Sequence, residues 1–411
     1  MKHYRTSIYY ILLILITINC TEPFSLNTLN FENILVVEAS ITDEFKIQQI
    51  KLSRTTNIES DDTKHESDAT IFIINNENKK YNFIEENKGI YKSVDKFSLE
   101  KDKSYTLKIK TSNGNTYTSS SEKLAGKAKI DKIINTTEKN KFNESIVKLM
   151  VNSTGDNEAK YYRYEYEETY KIVAPYWSPN KLIVNPAPPK PIGYDFFIIV
   201  PKENNNNRVC YKTVRSTSIQ QIETNSLVKN KIIELPIRYI NEFNHIISHR
   251  YSILIKQYVQ NFNAYNYFKT LKKLSNNENV FTDTQKGFVK GNIENENSTN
   301  EKVIGYFEVS TVFKKRIFFD YSELVTDPVS NDNSLPFPII CKTFTYPLIL
   351  EDDERKIRNN FYFNKLINGS LTFYKKNELD LTGNNRYVTV SKACGDCTIF
   401  GSNIKPSFWI D

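Results

Sequence analysis

The side chains in this chain best suited to chemistry are four cysteines and a pair of histidines. Cys394 and Cys397 stand in a Cys-Gly-Asp-Cys run. That spacing serves three chemistries: a structural disulfide, half of a zinc site, or a redox pair. A redox pair wants its first thiol at a helix N-terminus, which lowers the thiol pKa. Here Tyr387–Val390 reads as strand before the motif, and Thr398-Ile399-Phe400 follows it. Zinc needs about four ligands, which Cys210 and Cys341 would have to complete from distant positions. We therefore expect disulfides. Of the three pairings open to four cysteines, we expect Cys394–Cys397 with Cys210–Cys341. His245 and His249 have the spacing of two metal ligands on one helical turn, but they lack the Glu of a zinc-protease motif. They open a stretch that reads as strand, and we expect strand or loop histidines there.

Recognition chemistry points to another stretch. Within Tyr161–Tyr170, Tyr162, Tyr164 and Tyr166 recur at period two and so share one face of a strand. Residues 175–191 follow with six prolines, which bar a regular helix or a central strand. A proline-stiffened loop would present Tyr176 and Trp177 preformed, and such side chains give large amphipathic contact area at low entropic cost. The 161–191 segment is thus the candidate ligand-binding region, with core packing as its alternative. Asp61-Asp62 and Glu351-Asp352-Asp353-Glu354 cluster the oxygen ligands that Ca²⁺ prefers. They lack EF-hand spacing, so a solvated loop and a helix start are expected. The chain contains no G-x-S-x-G, H-E-x-x-H, G-x-x-x-x-G-K-[ST] or G-x-G-x-x-G motif. A glycosidase-type carboxylate pair stays open, because its members can lie far apart in sequence. We expect a protein that is not an enzyme and uses no cofactor or metal.

The elements that position these residues begin with an address. Lys2 and Arg5 precede the apolar run Ile8–Ile18, and Asn19-Cys20 and a polar stretch follow. This is the plan of a secretory signal, and a run of about 11 residues falls short of the roughly 18 that a spanning helix needs. A lone cysteine there resembles a bacterial lipobox, with Thr17 and Asn19 where the usual motif has Leu and a small residue. The expectation is a signal peptide and lipidated Cys20 over residues 1–20; the alternative is a signal cut elsewhere. The net charge of +7 falls to +5 once Lys2 and Arg5 leave. With the basic residues scattered among acids, no nucleic-acid partner is expected. The remaining even set of cysteines in an exported chain agrees with disulfides.

Richness in Ile, Tyr, Phe and Val favours strands. After a tether at 21–31, short alternating segments bounded by turn signals, among them Asn113-Gly114, predict an immunoglobulin-like β-sandwich over 32–126. Residues 127–411 read as a larger β-rich domain with one or two helices. Ala264, Phe268, Leu271 and Leu274 at helical spacing predict a helix over 262–275. Glu351–Leu366 opens with four acids, as a helix first turn does, without a clean apolar period. The fold class is mainly β.

Several blocks together resemble the exported bacterial lipoproteins called the domain of unknown function 4249 family. They are Leu35-Val36-Val37-Glu38 through Ile41-Thr42-Asp43, Leu52-Ser53-Arg54-Thr55, Gly89-x-Tyr91-x-Ser93, Tyr105-x-Leu107, Cys210-Tyr211, Gly291-Asn292-Ile293, Val303-Ile304-Gly305-Tyr306-Phe307-x-Val309-Ser310, Cys394-Gly395-Asp396-Cys397 and Lys405-Pro406-x-Phe408-Trp409. Ala39 and Tyr211 depart from the family's usual Gly and Trp. The resemblance spans the mature chain. It implies an outer-membrane lipoprotein, facing either the periplasm or the surface, with no established activity or ligand. It further implies a non-catalytic accessory of a TonB-dependent uptake or assembly complex. The expected partners are the membrane, through the lipid, and an outer-membrane β-barrel receptor. The alternative is a surface lipoprotein that captures a glycan or peptide with the 161–191 segment.

Overall fold

Ten of the first eleven residues of Val303-Ile-Gly-Tyr-Phe-Glu-Val-Ser-Thr-Val-Phe313 are apolar, β-favouring or small, and the strand they begin is the longest in the molecule among the described residues. The computed structural model describes residues 33–56, 64–186, 197–203, 206–226, 229–276, 288–298, 301–324, 335–345, 361–378 and 386–411. Cys20 with its signal, the 21–31 tether, Asp61-Asp62 and Glu351–Glu354 lie outside them.

The strand Val303–Phe319 has 17 residues and serves two ladders. Its first half, Val303–Ser310, runs parallel to the opening strand Leu35–Thr42. Its second half, Thr311–Phe319, runs antiparallel to Tyr251–Gln260. Parallel pairing goes with burial on both faces, and residues 305–311 are buried without interruption.

The first unit grows from the opening strand. Val303–Phe319, Leu35–Thr42, Gln49–Arg54, Ile90–Ser93, Lys80–Asn87, Thr70–Asn75, Ser104–Lys110, Thr116–Ser119 and Ile293–Asn295 follow one another in a continuous hydrogen-bonded sheet. It folds over one core in a sandwich-like way, with Leu35, Val37, Ile50, Tyr91, Tyr105 and Phe307 among the buried side chains. The two ends of this run meet. The Asn292 amide takes the place of a ladder partner, donating to Phe307 O at 3.0 Å and accepting from Phe307 N at 2.8 Å. Gly291 allows the closure, since a Cβ there would fall 1.6 Å from Gly305 O. The core therefore draws on Ile293, Val303, Phe307 and Val309, outside the expected 32–126 segment.

In the second unit, Ala128–Lys139, Ser145–Gly155 and Lys231–Asn241 form a three-stranded antiparallel sheet. Their apolar residues share a core with Tyr161–Val173, Tyr251–Gln260 and the end of the shared strand. The expected helix is present as Phe262–Asn276. Two shorter helices, Phe361–Ile367 and Lys392–Gly395, raise the count among the described residues to three, one more than expected. None of the helices among these residues is long and apolar enough to cross a membrane.

The C-terminal part has a small core of Phe197, Phe363, Phe373 and Tyr387. Two disulfides tie it down, and their pairing differs from expectation: Cys210 bonds Cys397, and Cys341 bonds Cys394. Asp396, in extended backbone, separates the helical turn 392–395 from the 3₁₀ turn 397–399. Each cysteine is thereby presented to a different neighbour. Cys397 N donates to Asn207 O, beside the strand holding Cys210, while Cys394 O accepts from Tyr176 N. The bridges span 187 and 53 residues, and closing loops of such length restricts the unfolded chain by about 5 and about 4 kcal/mol respectively in the chain-entropy account. The closing Trp409 is buried against Tyr211 and Phe318, with ring centroids at 5.0 and 5.7 Å.

Two outcomes follow from this arrangement. Residues 32–126 expressed alone should lack a cooperative melt, because their first strand loses its parallel partner. Joining residues 291–312 ahead of residue 33 through a flexible linker should restore it, as read by circular dichroism. Unreduced protein cut on the N-terminal side of Asp396 should yield a Cys397 peptide linked to Cys210 and a Cys394 peptide linked to Cys341 by mass spectrometry. A Cys394–Cys397 link would contradict the pairing.

Candidate functional site

Within the strand Tyr161–Val173, residues 162–167 set tyrosines on one face and charges on the other. Tyr162 and Tyr164 are within the second core. Tyr162 donates to Ala159 O at 2.8 Å, and Tyr164 donates to Gln257 Oε1 at 2.8 Å. Burial pushes the Tyr162 hydroxyl up to about 12. These two are core residues and give a ligand no surface, which corrects their assignment as ligand contacts. Tyr166 packs partly buried on the same core. Tyr176 meets Tyr374 edge-on at 5.1 Å, and Trp177 Nε1 donates to Asn207 at 2.9 Å, with Arg208 and Lys202 over its ring. The five aromatics are thus not gathered into one binding face. His245 lies in a 3₁₀ turn against the edge of Tyr170. Burial holds His245 and His249 below the usual histidine range, helped by Lys212 and Lys171 respectively. Among the described residues, no three His, Cys, Asp or Glu side chains are grouped to hold a metal.

The opposite face of the tyrosine strand builds the site. Arg163 is buried, and its guanidinium lies between the rings of Tyr258 and Phe268, at 4.3 and 4.8 Å from their centroids. It donates to Glu165, and to Glu308 Oε2 at 2.8 Å. Glu308 is fully buried and also accepts from Ser40 Oγ and Gln260 Nε2, both at 2.7 Å. Burial opposes the charge on Arg163, but Glu308 and Glu165 outweigh it and hold the group above its ordinary range. A charge pair removed from water is tolerated only when its remaining hydrogen bonds are also made. The Glu308 carboxylate meets that condition, whereas Arg163 Nε has no acceptor.

Over this pair opens a cleft of about 710 Å³. Its floor is the outer face of the shared and opening strands, where register sets Ile304 beside Val36, Tyr306 beside Glu38 and Glu308 beside Ser40. The helix Phe262–Asn276 forms a wall with Tyr267, Phe268 and Leu271. It is seated by Ala264 and by Tyr267 on Tyr306, 5.2 Å between centroids, and Asn261 caps its first turn. A second cleft of about 480 Å³ lies beyond Tyr267 and Tyr306, lined largely by amides and hydroxyls such as Asn263, Asn266, Thr270 and Asn292. Behind it, Glu122 accepts from Ser120, Asn261, Asn292 and Tyr306.

Sequence reasoning missed Arg163, Lys256, Phe268 and Glu308 as a group. One signal was present: Glu308 is the only charge in Val303–Phe313, and a carboxylate within a buried strand requires a partner.

The family model described as Domain of unknown function (DUF4249) matches residues 21–316. No curated protein matches the chain. Among solved structures, a chain titled "Biofilm associated protein - BSP domain" is 8% identical with a TM-score of 0.12, over 72% of this chain and 62% of that one. The match spans less than two thirds of that neighbour, and so slight a likeness carries no argument.

Replacing Glu308 with Ala should lower stability by about 3–5 kcal/mol in urea unfolding, because Arg163 then loses a buried counter-charge. Ser40→Ala removes one hydrogen bond and should cost about 1 kcal/mol.

Proposed function

This chain belongs to the family Domain of unknown function (DUF4249), and on that premise we propose that it is a non-catalytic, lipid-anchored protein of the cell envelope. In this reading it serves an outer-membrane TonB-dependent uptake or assembly complex as an accessory, and a β-barrel receptor is its partner. The supporting observation is the use of the cysteines. The two disulfides consume Cys210, Cys341, Cys394 and Cys397, and bonds of this kind persist in oxidising compartments. The fifth cysteine, Cys20, is left for a different chemistry at the end of the charged-then-apolar start. The engagement of Glu308 and Glu122 by several donors each suits fixed walls better than proton transfer.

A second reading, ligand capture, is favoured by the cleft under the helix Phe262–Asn276 rather than by the 161–191 segment. An accessory of an uptake complex that also holds a ligand unites the two readings.

Acylation of Cys20 places long hydrocarbon chains in the bilayer, each methylene contributing about 0.8 kcal/mol, and two chains give stable anchoring. Cys20→Ala should move the protein to the soluble fraction, and mass spectrometry of the wild-type N-terminus should show the acyl chains. Membrane retention of the variant with an unmodified terminus would refute the anchor. Native complexes solubilised from membranes should contain a barrel receptor.

A further inference from the structure

We infer that the larger cleft binds an amphiphilic organic anion, a hydrocarbon body ending in a carboxylate, with its head at Lys256 and Arg163 and its tail toward Leu271. The inference rests on the capture reading and names the ligand class.

The floor of the cleft is graded. Along the paired strands it passes from Val36 and Ile304, through Glu38 and Tyr306, to Ser40 and Glu308. Four residues of strand cover about 13 Å. The helix wall adds Leu271 to the apolar end. One end therefore suits hydrocarbon, and the other ends in charge.

The charge at that end favours an anion. Five cations line the cleft against three carboxylates, Glu38, Glu165 and Glu308. Most are already engaged: Lys51 with Glu38, Arg215 with Glu167, Lys46 with Glu44, and Arg163 with Glu165 and Glu308. Lys256 is different. It is half-buried on the strand Tyr251–Gln260 and, among the described residues, makes no hydrogen bond or ion pair. Its register neighbours are Glu165 on one side and Lys314 on the other. Burial holds its ammonium below the usual lysine range. Glu167 and Glu165 oppose that shift, and Lys314 and Arg215 add to it. Arg163, with its unpaired buried Nε, is the neighbouring donor on the cleft wall. A half-buried ammonium without a partner gains from an incoming carboxylate, because hydrogen bonds between charged groups are among the stronger ones. The aliphatic end alone would accept any lipid tail; the unpaired Lys256 ammonium selects the head.

The test uses the whole mature chain carrying Cys20→Ala, with anilinonaphthalene sulfonate as a fluorescent reporter and a cooperative melt as the folding control. Decanoate should displace the reporter at least about tenfold more effectively than decyltrimethylammonium, the worth of one charged hydrogen bond. Lys256→Gln should weaken decanoate by about tenfold and Lys256→Arg should restore it. Leu271→Asp should weaken decanoate without altering the melt. Equal displacement by the cationic amphiphile, or decanoate binding indifferent to Lys256→Gln, overturns the anion assignment and leaves capture standing. Absence of reporter, decanoate and cation binding overturns both the assignment and capture at this cleft.

Discussion

One strand holds this molecule together. Val303–Phe319 gives its first half to a parallel ladder with Leu35–Thr42 and its second half to an antiparallel ladder with Tyr251–Gln260. Two cores therefore share a backbone, with Phe307 in one and Phe319 in the other. A parallel pair cannot be closed by a hairpin and needs a long connection; here the connection holds much of the second unit. The relative placement of the units follows from hydrogen-bond register along a single element, rather than from a flexible linker between independent folds.

The cleft is a consequence of that sharing. Both faces of the shared strand are occupied where it passes between the cores, so residues that would face solvent in a simple sandwich are enclosed by the helix Phe262–Asn276. Glu308 is the clearest case. It points away from the first core, and it is paired with Arg163, which comes from a strand of the second unit. The aromatic rings of Tyr258 and Phe268 complete the shell on either side of the guanidinium. Packing, charge pairing and the shape of the cleft depend on one another there, and a change in register would undo all three.

The C-terminal part solves a different problem. Four buried aromatic residues form its core, too few side chains to offset the entropy of ordering the segments around them. Cross-links closing long loops reduce that entropy in the unfolded chain. The two bridges fasten it to the strand Val209–Arg215 and to residue 341, and Trp409 packs the chain's end onto Tyr211 and Phe318.

Much of this was legible from residue order, because strand and helix patterns are local. Alternation marked the strands of the first unit, and Ala264, Phe268 and Leu271 marked the helix to within a residue of its observed end. The blocks from Leu35 to Ser310 carried the family, whose model ends at residue 316; those from Cys394 to Trp409 lie beyond it. Side-chain periodicity showed that Tyr162, Tyr164 and Tyr166 share a face, but not that the face is turned inward: period two is identical for either side of a sheet, and only the opposing sheet decides which is buried. The cysteine pairing was undecided for a similar reason. Nearness in sequence favoured Cys394–Cys397, yet the extended backbone at Asp396 aims the two side chains at partners 53 and 187 residues away. The cleft was the least legible of all. Arg163, Lys256, Phe268 and Glu308 sit on four separate elements, and their meeting depends on long-range strand register, a quantity that no local pattern of residues encodes.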